Sequence, residues 1–362
     1  MCIEGKKNPE ILVPDFFYAY ILFDVRKSPV ILYADKVFRD QTRCSNVVRI
    51  LREGSAMAQV GIIGSGNTGA NAAFFIAEKG ISDVLLYDIR EGLSRGKVLD
   101  LMEAAPLRTY RTRIQGTDLL EEVLDAPIIV VAAGSVRTPD MKREDLFNEN
   151  VKIVKELAKR LEGRAGDLNV IVVTEPVDLM TTVLTEQSGL PREHVMGVGG
   201  LLDSTRLRYA VARNLDVSAE DVSALVIGPH NDRMIGLPRY TTVSGVPVLN
   251  LMKKDLFYAL MAEVREAGDF IVGLAKRSSS YYAPSAAIAE LVDAVVRDTR
   301  RLMSVSIVLS GEYGVEGVAL SIPAVVGSTG VVRVHPPKLQ EDELAQLQSS
   351  ARSMRGFLER SG

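Results

Sequence analysis

Near residue 60 the chain reads Val60-Gly61-Ile62-Ile63-Gly64-Ser65-Gly66-Asn67-Thr68-Gly69, an apolar run followed by three spaced glycines. The apolar run predicts a buried strand, and the glycines that follow predict a tight turn into a helix. Gly64 suits the turn, Gly66 lets backbone N–H groups approach a pyrophosphate, and Gly69 lets the helix pack on the strand. The stretch therefore predicts a dinucleotide site, with Ser65 and Asn67 also among its cofactor-binding residues.

An acidic residue in the expected place supports a dinucleotide site. Asp88 ends the second predicted strand, 19 residues after Gly69. A carboxylate at this position accepts hydrogen bonds from the ribose hydroxyls and repels a 2′-phosphate, which favours NAD. Arg90 follows two residues later and is suited to a phosphate, so NADP stays open as the cofactor.

Strands and helices alternate between Met57 and about residue 200. Continuous apolar strands separated by amphipathic helices are typical of a parallel sheet covered on both faces. This α/β pattern predicts a Rossmann-type doubly wound parallel sheet, with residues 57–200 as a dinucleotide-binding domain. The predicted strands are Gln59–Ile63, Asp83–Tyr87, Arg113–Gly116, Pro127–Ala132, Asn169–Thr174 and Val195–Val198, and the predicted helices are Asn67–Lys79, Gly92–Ala105, Glu144–Leu161 and Val177–Gln187.

The pattern changes after about residue 200, where turn-rich and β-prone segments separate longer helices. We expect an α+β substrate-binding and catalytic domain over residues 201–362. The predicted helices are Ser204–Arg213, Lys253–Lys276, Ser285–Leu302 and Gln340–Glu359, and the predicted β segments are Ser223–Ile227, Leu237–Val248, Val305–Leu309 and Val318–Val326.

Residues 1–56 do not share this alternation. Their apolar stretch from Ile11 to Phe23 is interrupted by Pro14 and lacks the basic start and cleavage site of a signal peptide. We expect an N-terminal extension that is disordered or not native, with Met57 as the natural start. The alternative is a tail that packs on a neighbouring subunit.

Composition excludes several classes of function. The 362 residues carry a net charge of -3, which gives no reason to expect nucleic acid or an anionic membrane as a partner. No apolar run reaches the ~18 residues of a transmembrane helix. The two cysteines, Cys2 and Cys44, offer neither a disulfide framework nor a metal site. With no secretory signal, we expect a cytoplasmic protein without a metal.

Two arginines occupy one loop after the strand at residues 127–132. Arg137 and Arg143 lie six residues apart in a segment rich in glycine, proline and charge. Such a loop at a strand end is where α/β enzymes present catalytic groups, and arginine grips a carboxylate with two hydrogen bonds. The pair predicts a small, doubly charged anion as substrate. The alternative is a pair of solvated loop charges.

A second cluster of polar residues suggests acid–base chemistry. His230 follows a predicted strand, and imidazole titrates near neutral pH. Asp203 and Arg206 are three residues apart on a predicted helix, so they share one face. Asp203 is suited to orienting a histidine and Arg206 to holding a carboxylate. The alternatives are a hydrogen-bonding loop histidine and a capping aspartate in a salt bridge.

Taken together, these motifs resemble the malate and lactate dehydrogenase family, in particular its lactate-dehydrogenase-like malate dehydrogenases. The resemblance spans Met57 to about residue 340. Its motifs run in order: Gly64–Gly69, Asp88, Ala133-Gly134-Ser135-Val136-Arg137, Val173-Thr174-Glu175-Pro176-Val177-Asp178, Leu202-Asp203-Ser204-Thr205-Arg206, Gly228-Pro229-His230-Asn231-Asp232, Leu237-Pro238-Arg239-Tyr240, Tyr281-Tyr282-Ala283-Pro284-Ser285 and Gly311-Glu312-Tyr313-Gly314.

The resemblance implies hydride transfer between (S)-malate and NAD or NADP. His230 would transfer the proton, with Asp203 as its partner, and Arg143 would polarise the C2 oxygen. Arg206 would hold the C1 carboxylate. Arg137 corresponds to the position that separates the malate branch, with arginine, from the lactate branch, which typically has glutamine.

The resemblance also implies two further cofactor-lining residues, Asn150 and Thr174. The expected partners are then a small dicarboxylate and further copies of the chain, as a homodimer or homotetramer. The apolar helix at Ala286–Val296 is a candidate for the subunit contact.

One position departs from the family pattern inside the expected site. Glu175 stands where asparagine is usual, and a carboxylate repels a dicarboxylate instead of donating a hydrogen bond to it. Asp140 likewise stands between the two loop arginines. Two alternatives therefore stay open: another 2-hydroxy-acid dehydrogenase of the lactate type, and a catalytically impaired dinucleotide-binding homologue.

Overall fold

The computed structural model describes residues 60–135, 143–164, 168–275 and 280–361. The predicted extension at residues 1–56 and the loop residues Arg137 and Asp140 lie outside these ranges. Arg143 is the first residue of a described helix, but its side chain is outside the description.

A nine-stranded sheet forms the centre of the described chain. Six of its strands are parallel, in the spatial order β3-β2-β1-β4-β5-β6. This is the order of a doubly wound dinucleotide-binding sheet, so the prediction is confirmed. These strands are β1 (Val60–Ile63), β2 (Val84–Tyr87), β3 (Ile114–Thr117), β4 (Ile128–Val131), β5 (Asn169–Val172) and β6 (Val195–Gly197).

Five helices connect the parallel strands. They are α1 (Asn67–Glu78), α2 (Leu93–Arg108), α3 (Leu120–Leu124), α4 (Arg143–Leu161) and α5 (Val177–Ser188). Successive residues of a strand point to opposite faces. Ile62 accordingly joins the core that contains the buried alanines of α1, whereas Ile63 joins the core on the opposite face, under α4 and α5. Both faces are therefore covered, which explains the continuous apolar strands.

Three antiparallel strands extend the same sheet beyond β6. They are β12 (Arg301–Ser310), β13 (Glu316–Gly327) and β14 (Gly330–Val334), and β12 pairs with β6 at Ser306 and Gly197. The second half of the chain thus adds a mixed α+β part, as predicted. Its helices are α6 (Gly199–Leu215), α7 (Lys254–Ala275), α8 (Tyr282–Val296) and α9 (Glu341–Ser361).

Two small antiparallel sheets accompany these helices. One contains β7 (Val222–Ser223), β10 (Thr242–Val243) and β11 (Val246–Pro247), and the other contains β8 (Val226–Ile227) and β9 (Ile235–Gly236). The predicted single strand Ser223–Ile227 is therefore wrong, because its two ends pair in different sheets. Among the described helices, none is long and apolar enough to cross a membrane.

Three other sequence predictions need correction. Helix α6 begins at Gly199 and not at Ser204, so Asp203 lies inside the helix and is not its cap. Helix α8 ends at Val296 and not at Leu302, because Asp298 and Arg300 have positive φ and lead into β12. The apolar face at 286–296 packs within the chain against α1, and is not the exposed subunit contact that we expected.

Candidate active site

The turn after β1 has the geometry that its glycines predicted. Gly64 has φ +107°, and a Cβ there would lie 2.7 Å from backbone atoms of Ala132 and Ala133. A Cβ on Gly69 would lie 1.9 Å from the carbonyl oxygen of Gly64. Glycine is therefore required at both positions, by conformation at the first and by close approach at the second.

The residues of this turn fit a dinucleotide phosphate. Gly66 precedes α1 without a side-chain cap, so the first N–H groups of the helix stay available to an anion. A Cβ on Gly66 would meet nothing within 4 Å, which leaves open space beside these donors. The buried Ser65 hydroxyl has no hydrogen-bond partner among the described residues.

Asp88 lies at the end of β2, where a ribose-binding carboxylate is expected. It is buried, and its Oδ2 accepts a hydrogen bond from Ser65 N at 2.9 Å. Its Oδ1 accepts from the Arg90 backbone N at 3.1 Å and from Arg90 Nε at 2.9 Å. Burial raises the pKa of Asp88, but the hydrogen bonds from Arg90 and Ser65 outweigh burial and hold the pKa below its ordinary value.

The structure brings together three predicted residues of the second half. His230 Nδ1 lies 2.8 Å from Asp203 Oδ2, and the Asp203 side chain is only 2% exposed. The other carboxylate oxygen, Asp203 Oδ1, lies 3.8 Å from Arg206 Nη1, as the three-residue spacing on α6 predicted. The aspartate therefore orients the imidazole, and the guanidinium extends from the same helix face.

Glu175 occupies the opposite side of the imidazole ring. Its Oε1 lies 3.3 Å from His230 Nε2, and its side chain is 47% exposed to the cavity. Its Oε2 accepts a hydrogen bond from Val177 N at 3.3 Å. Partial removal from water raises the pKa of Glu175, but the charge and hydrogen bond of His230 reverse this effect and hold the pKa below its ordinary value.

The two carboxylates favour the protonated histidine. Removal from water lowers the pKa of His230, but attraction and hydrogen bonding to Asp203 and Glu175 outweigh it. The pKa of His230 therefore lies well above its ordinary value, which favours the imidazolium in the free protein.

Asp178 fixes the position of the histidine loop, a role that the sequence analysis missed. Its Oδ2 accepts a hydrogen bond from His230 N at 2.6 Å, and its Oδ1 accepts from Ser306 Oγ at 2.5 Å. Burial raises the pKa of Asp178 to about 6, against the lowering effect of the Ser306 and His230 hydrogen bonds. Asp178 belongs to the family motif Val173–Asp178, which was the only signal in the sequence for a role. Its contact with Ser306 on β12 could not be predicted from the sequence.

Asn150 and Thr174 hold the loops that surround the cavity. Asn150 is fully buried, accepts from Ser135 N at 2.7 Å and donates to the Glu175 carbonyl at 2.7 Å. Thr174 Oγ1 donates to the Ala133 carbonyl, 2.6 Å away. The Glu175–Pro176 peptide bond is cis. These contacts link the ends of β4 and β5, so both predicted residues line the site through the loop backbones.

A cavity of about 570 Å³ is lined by His230, Arg206 and Glu175, and it extends to Thr68 in the first turn of α1. Its volume is that of a small-molecule site. The described residues contain no group of three His, Cys, Asp or Glu side chains placed to hold a metal ion. The polar residues that line the cavity include Thr68, Ser135, Asn150, Thr174, Glu175, Asp178, Arg206, His230, Asp232, Arg233, Arg265 and Asp269.

The structure describes the side chain of one of the three predicted substrate arginines. Arg206 lines the cavity, whereas Arg137 and the side chain of Arg143 lie outside the described residues. Ser285 was quoted only as part of a motif, and its hydroxyl donates to the Thr68 carbonyl at 2.8 Å. This bond joins α8 to the first turn of α1, beside the predicted cofactor turn.

Comparisons with known proteins agree with this geometry. The model of the lactate/malate dehydrogenase NAD-binding domain matches residues 58–197, and that of the lactate/malate dehydrogenase alpha/beta C-terminal domain matches residues 201–360. A malate dehydrogenase from Heliobacterium modesticaldum is 37% identical over 303 residues, which cover 84% of this chain and 98% of the relative.

Solved structures of both activities resemble the chain. Malate dehydrogenase from Salinibacter ruber aligns with a TM-score of 0.77 and 37% identity, over 83% of this chain and 96% of that one. Lactate dehydrogenase from Cryptosporidium parvum, in complex with lactic acid and nicotinamide adenine dinucleotide, aligns with a TM-score of 0.79 and 28% identity, over 83% and 98%. These matches agree with the nucleotide-binding turn and the His230–Asp203 pair. The chain therefore belongs to the lactate/malate dehydrogenase family.

Proposed function

We propose that this chain is an NAD-dependent malate dehydrogenase that interconverts (S)-malate and oxaloacetate. The observation that carries the proposal is the 2.8 Å contact between His230 Nδ1 and Asp203 Oδ2 in a cavity that Arg206 also lines. The identity of 37% to a malate dehydrogenase over nearly its whole length supports the substrate. The fit of the Gly64–Gly69 turn and Asp88 to a dinucleotide supports NAD.

In malate oxidation, His230 takes the proton of the C2 hydroxyl at Nε2. Asp203 holds the opposite nitrogen and stabilises the imidazolium that forms. A bound nicotinamide cofactor supplies the hydride acceptor in this direction and the hydride donor in the other. In oxaloacetate reduction, the imidazolium returns its proton to the C2 oxygen.

The arginines divide the recognition of the substrate. Arg206 holds the C1 carboxylate, because guanidinium and carboxylate match in a two-pronged geometry. We propose that Arg143 polarises the C2 oxygen and that Arg137 pairs with the distal carboxylate. A substrate without that second carboxylate leaves Arg137 unpaired, a penalty on the order of several kcal/mol if the site excludes water.

The cofactor residues have separate tasks in this proposal. Gly64, Ser65, Gly66, Asn67 and Gly69 form the phosphate turn, and Asp88 accepts the ribose hydroxyls. Asn150 and Thr174 position the adjacent loops. Arg90 pairs with Asp88 and is the residue through which NADP would be accommodated.

The wider organisation is proposed on similar grounds. We divide the chain into residues 57–200 for the cofactor and 201–362 for the substrate, with residues 1–56 as an extension. The place where the two family models meet supports this boundary. We also propose a cytoplasmic homodimer or homotetramer. The exposed apolar side chains Leu99 and Leu107 on α2, and Phe270 and Leu274 on α7, support self-association.

The function is tested by steady-state reduction of a panel of 2-keto acids with NADH and with NADPH. We expect oxaloacetate with NADH to give the highest kcat/KM, and His230→Asn to lower it by about a thousandfold or more. A preference for pyruvate would favour the lactate-type alternative. Binding of NADH without turnover of any keto acid would favour an impaired homologue.

A further inference from the structure

We propose that Glu175 is a second carboxylate partner of His230, a positioning residue that retains the proton on Nε2 and leaves that nitrogen when substrate binds. The imidazole is therefore clamped between two acids in the free protein. The catalytic consequence rests on the proposed function, but the clamp itself does not.

The geometry distinguishes a permanent partner from a displaceable one. Asp203 is 2% exposed and approaches Nδ1 at 2.8 Å, so its carboxylate is fixed within the fold. Glu175 is 47% exposed and approaches Nε2 at the longer distance of 3.3 Å. Its backbone is held by the 2.7 Å bond from Asn150, while its side chain faces the cavity. Rotation of that side chain into the cavity frees Nε2 without moving the chain.

The charges around His230 favour such a clamp. Asp178 contributes a further acid at the backbone N of His230, and Arg206 is the cation beside Asp203. Among the described residues that line the cavity around the imidazole, acidic side chains outnumber basic ones. The acidic residues are Glu175, Asp178, Asp232 and Asp269, and the basic ones are Arg206, Arg233 and Arg265. Asp203 adds a further carboxylate at Nδ1 of the ring.

The clamp affects the two directions of reaction differently. Reduction of a keto acid needs the imidazolium, which the two carboxylates of the clamp stabilise. Oxidation needs the neutral ring, so it requires a higher pH. In both directions the substrate oxygen competes with Glu175 for Nε2, which raises the substrate KM. Glu175 thus adjusts the pH range in which each direction is fast, and the affinity for the substrate, through His230.

The test is an NMR titration of the histidine side chains in the full chain, without substrate or cofactor. The sequence has three histidines, so the signal of His230 is assigned by its loss in His230→Asn. We expect it to titrate above neutral pH in the wild type. In Glu175→Gln and Glu175→Asn we expect a downward shift of about one pH unit or more, because one of two paired charges is removed.

Matched controls separate the clamp from a general effect of charge. Glu186→Gln removes an exposed acid near the other end of α5 and should leave the His230 titration unchanged. Thermal melting shows whether each Glu175 variant folds, and Glu175→Gln, with nearly the same shape at a half-exposed position, should keep the wild-type Tm. An unchanged His230 titration in a folded Glu175→Gln protein overturns the clamp. If the His230 titration shifts in Glu175→Gln but the wild-type protein reduces no keto acid, the clamp is supported and the proposed function is refuted.

Discussion

The backbone N–H of His230 donates a hydrogen bond of 2.6 Å to Asp178 Oδ2, across 52 residues of sequence. The same carboxylate accepts from Ser306 on β12, so one buried acid connects the helix after the cis peptide, the histidine loop and the central sheet. The position of His230 thus depends on a carboxylate that bonds to its backbone.

Asp178→Asn should therefore misplace the histidine loop. An amide oxygen can accept only one of the two hydrogen bonds well, so we expect a loss of about 1–3 kcal/mol in the free energy of unfolding and a fall in kcat. Urea unfolding and steady-state kinetics measure the two effects. Wild-type stability and rate in the folded variant would contradict this role.

The effect of Asp178→Asn on stability should depend on pH in a definite direction. Burial raises the pKa of Asp178 to about 6, so its acid form is favoured in the folded state. The raised pKa stabilises the folded state fully at pH values below the pKa that Asp178 has in the unfolded chain. This stabilisation is lost as the pH rises through about 6. The stability difference between the wild type and Asp178→Asn should therefore shrink from about pH 4 to about pH 7. A difference that grows over this range would contradict the direction of the shift.

Arg206→Lys tests the two-pronged grip on the substrate. Lysine keeps the positive charge but offers no planar pair of donors, so we expect kcat/KM for oxaloacetate to fall by about a hundredfold. Arg213→Lys is the matched control, because Arg213 lies on the same helix and pairs with Glu263 on the surface. Equal effects of the two substitutions would argue against a substrate role for Arg206.

Asp88→Asn tests the choice between the two cofactors. Loss of the carboxylate removes the repulsion of a 2′-phosphate and releases Arg90 from its present partner. The ratio of kcat/KM with NADPH to that with NADH should rise by about tenfold or more. Asp118→Asn serves as the control, since Asp118 accepts from Gly92 N one strand further along the sheet. No change in the ratio would assign cofactor choice to other residues.

Two glycines of the phosphate turn should respond differently to alanine. A Cβ on Gly69 would lie 1.9 Å from Gly64 O, so Gly69→Ala should be severely destabilised or fail to fold. A Cβ on Gly66 meets no atom within 4 Å, so Gly66→Ala should keep its Tm and bind NADH about tenfold more weakly. Melting curves and fluorescence titration with NADH distinguish them. Normal NADH affinity in Gly66→Ala would place the pyrophosphate elsewhere.

Local patterns in the sequence were sufficient for the parallel half of the fold. The apolar run at residues 60–63 and the spaced glycines define strand, turn and helix without distant contacts. The run from Ser223 to Ile227 was equally β-prone, but it splits between two sheets because pairing partners decide strand identity. The end of α8 was likewise missed, since the positive φ of Asp298 and Arg300 has no glycine to signal it.

The candidate site was predictable in its members and not in its contacts. Asp203 and Arg206 share a helix face by spacing alone, and His230 was identified by residue type and loop context. The bond between Asp178 and Ser306 joins residues 128 positions apart, so it depends on tertiary structure. The contact between Glu175 and His230 Nε2 also depends on tertiary structure. The sequence predicted that Glu175 repels the substrate, whereas the structure pairs its carboxylate with His230.

The substrate preference is measured by a competition between equal concentrations of oxaloacetate and pyruvate in one reaction with limiting NADH. The ratio of malate to lactate formed equals the ratio of the two kcat/KM values. We expect an excess of malate of about a hundredfold or more, because the second carboxylate of oxaloacetate is proposed to pair with Arg137. Equal amounts of the two products, or an excess of lactate, would contradict it.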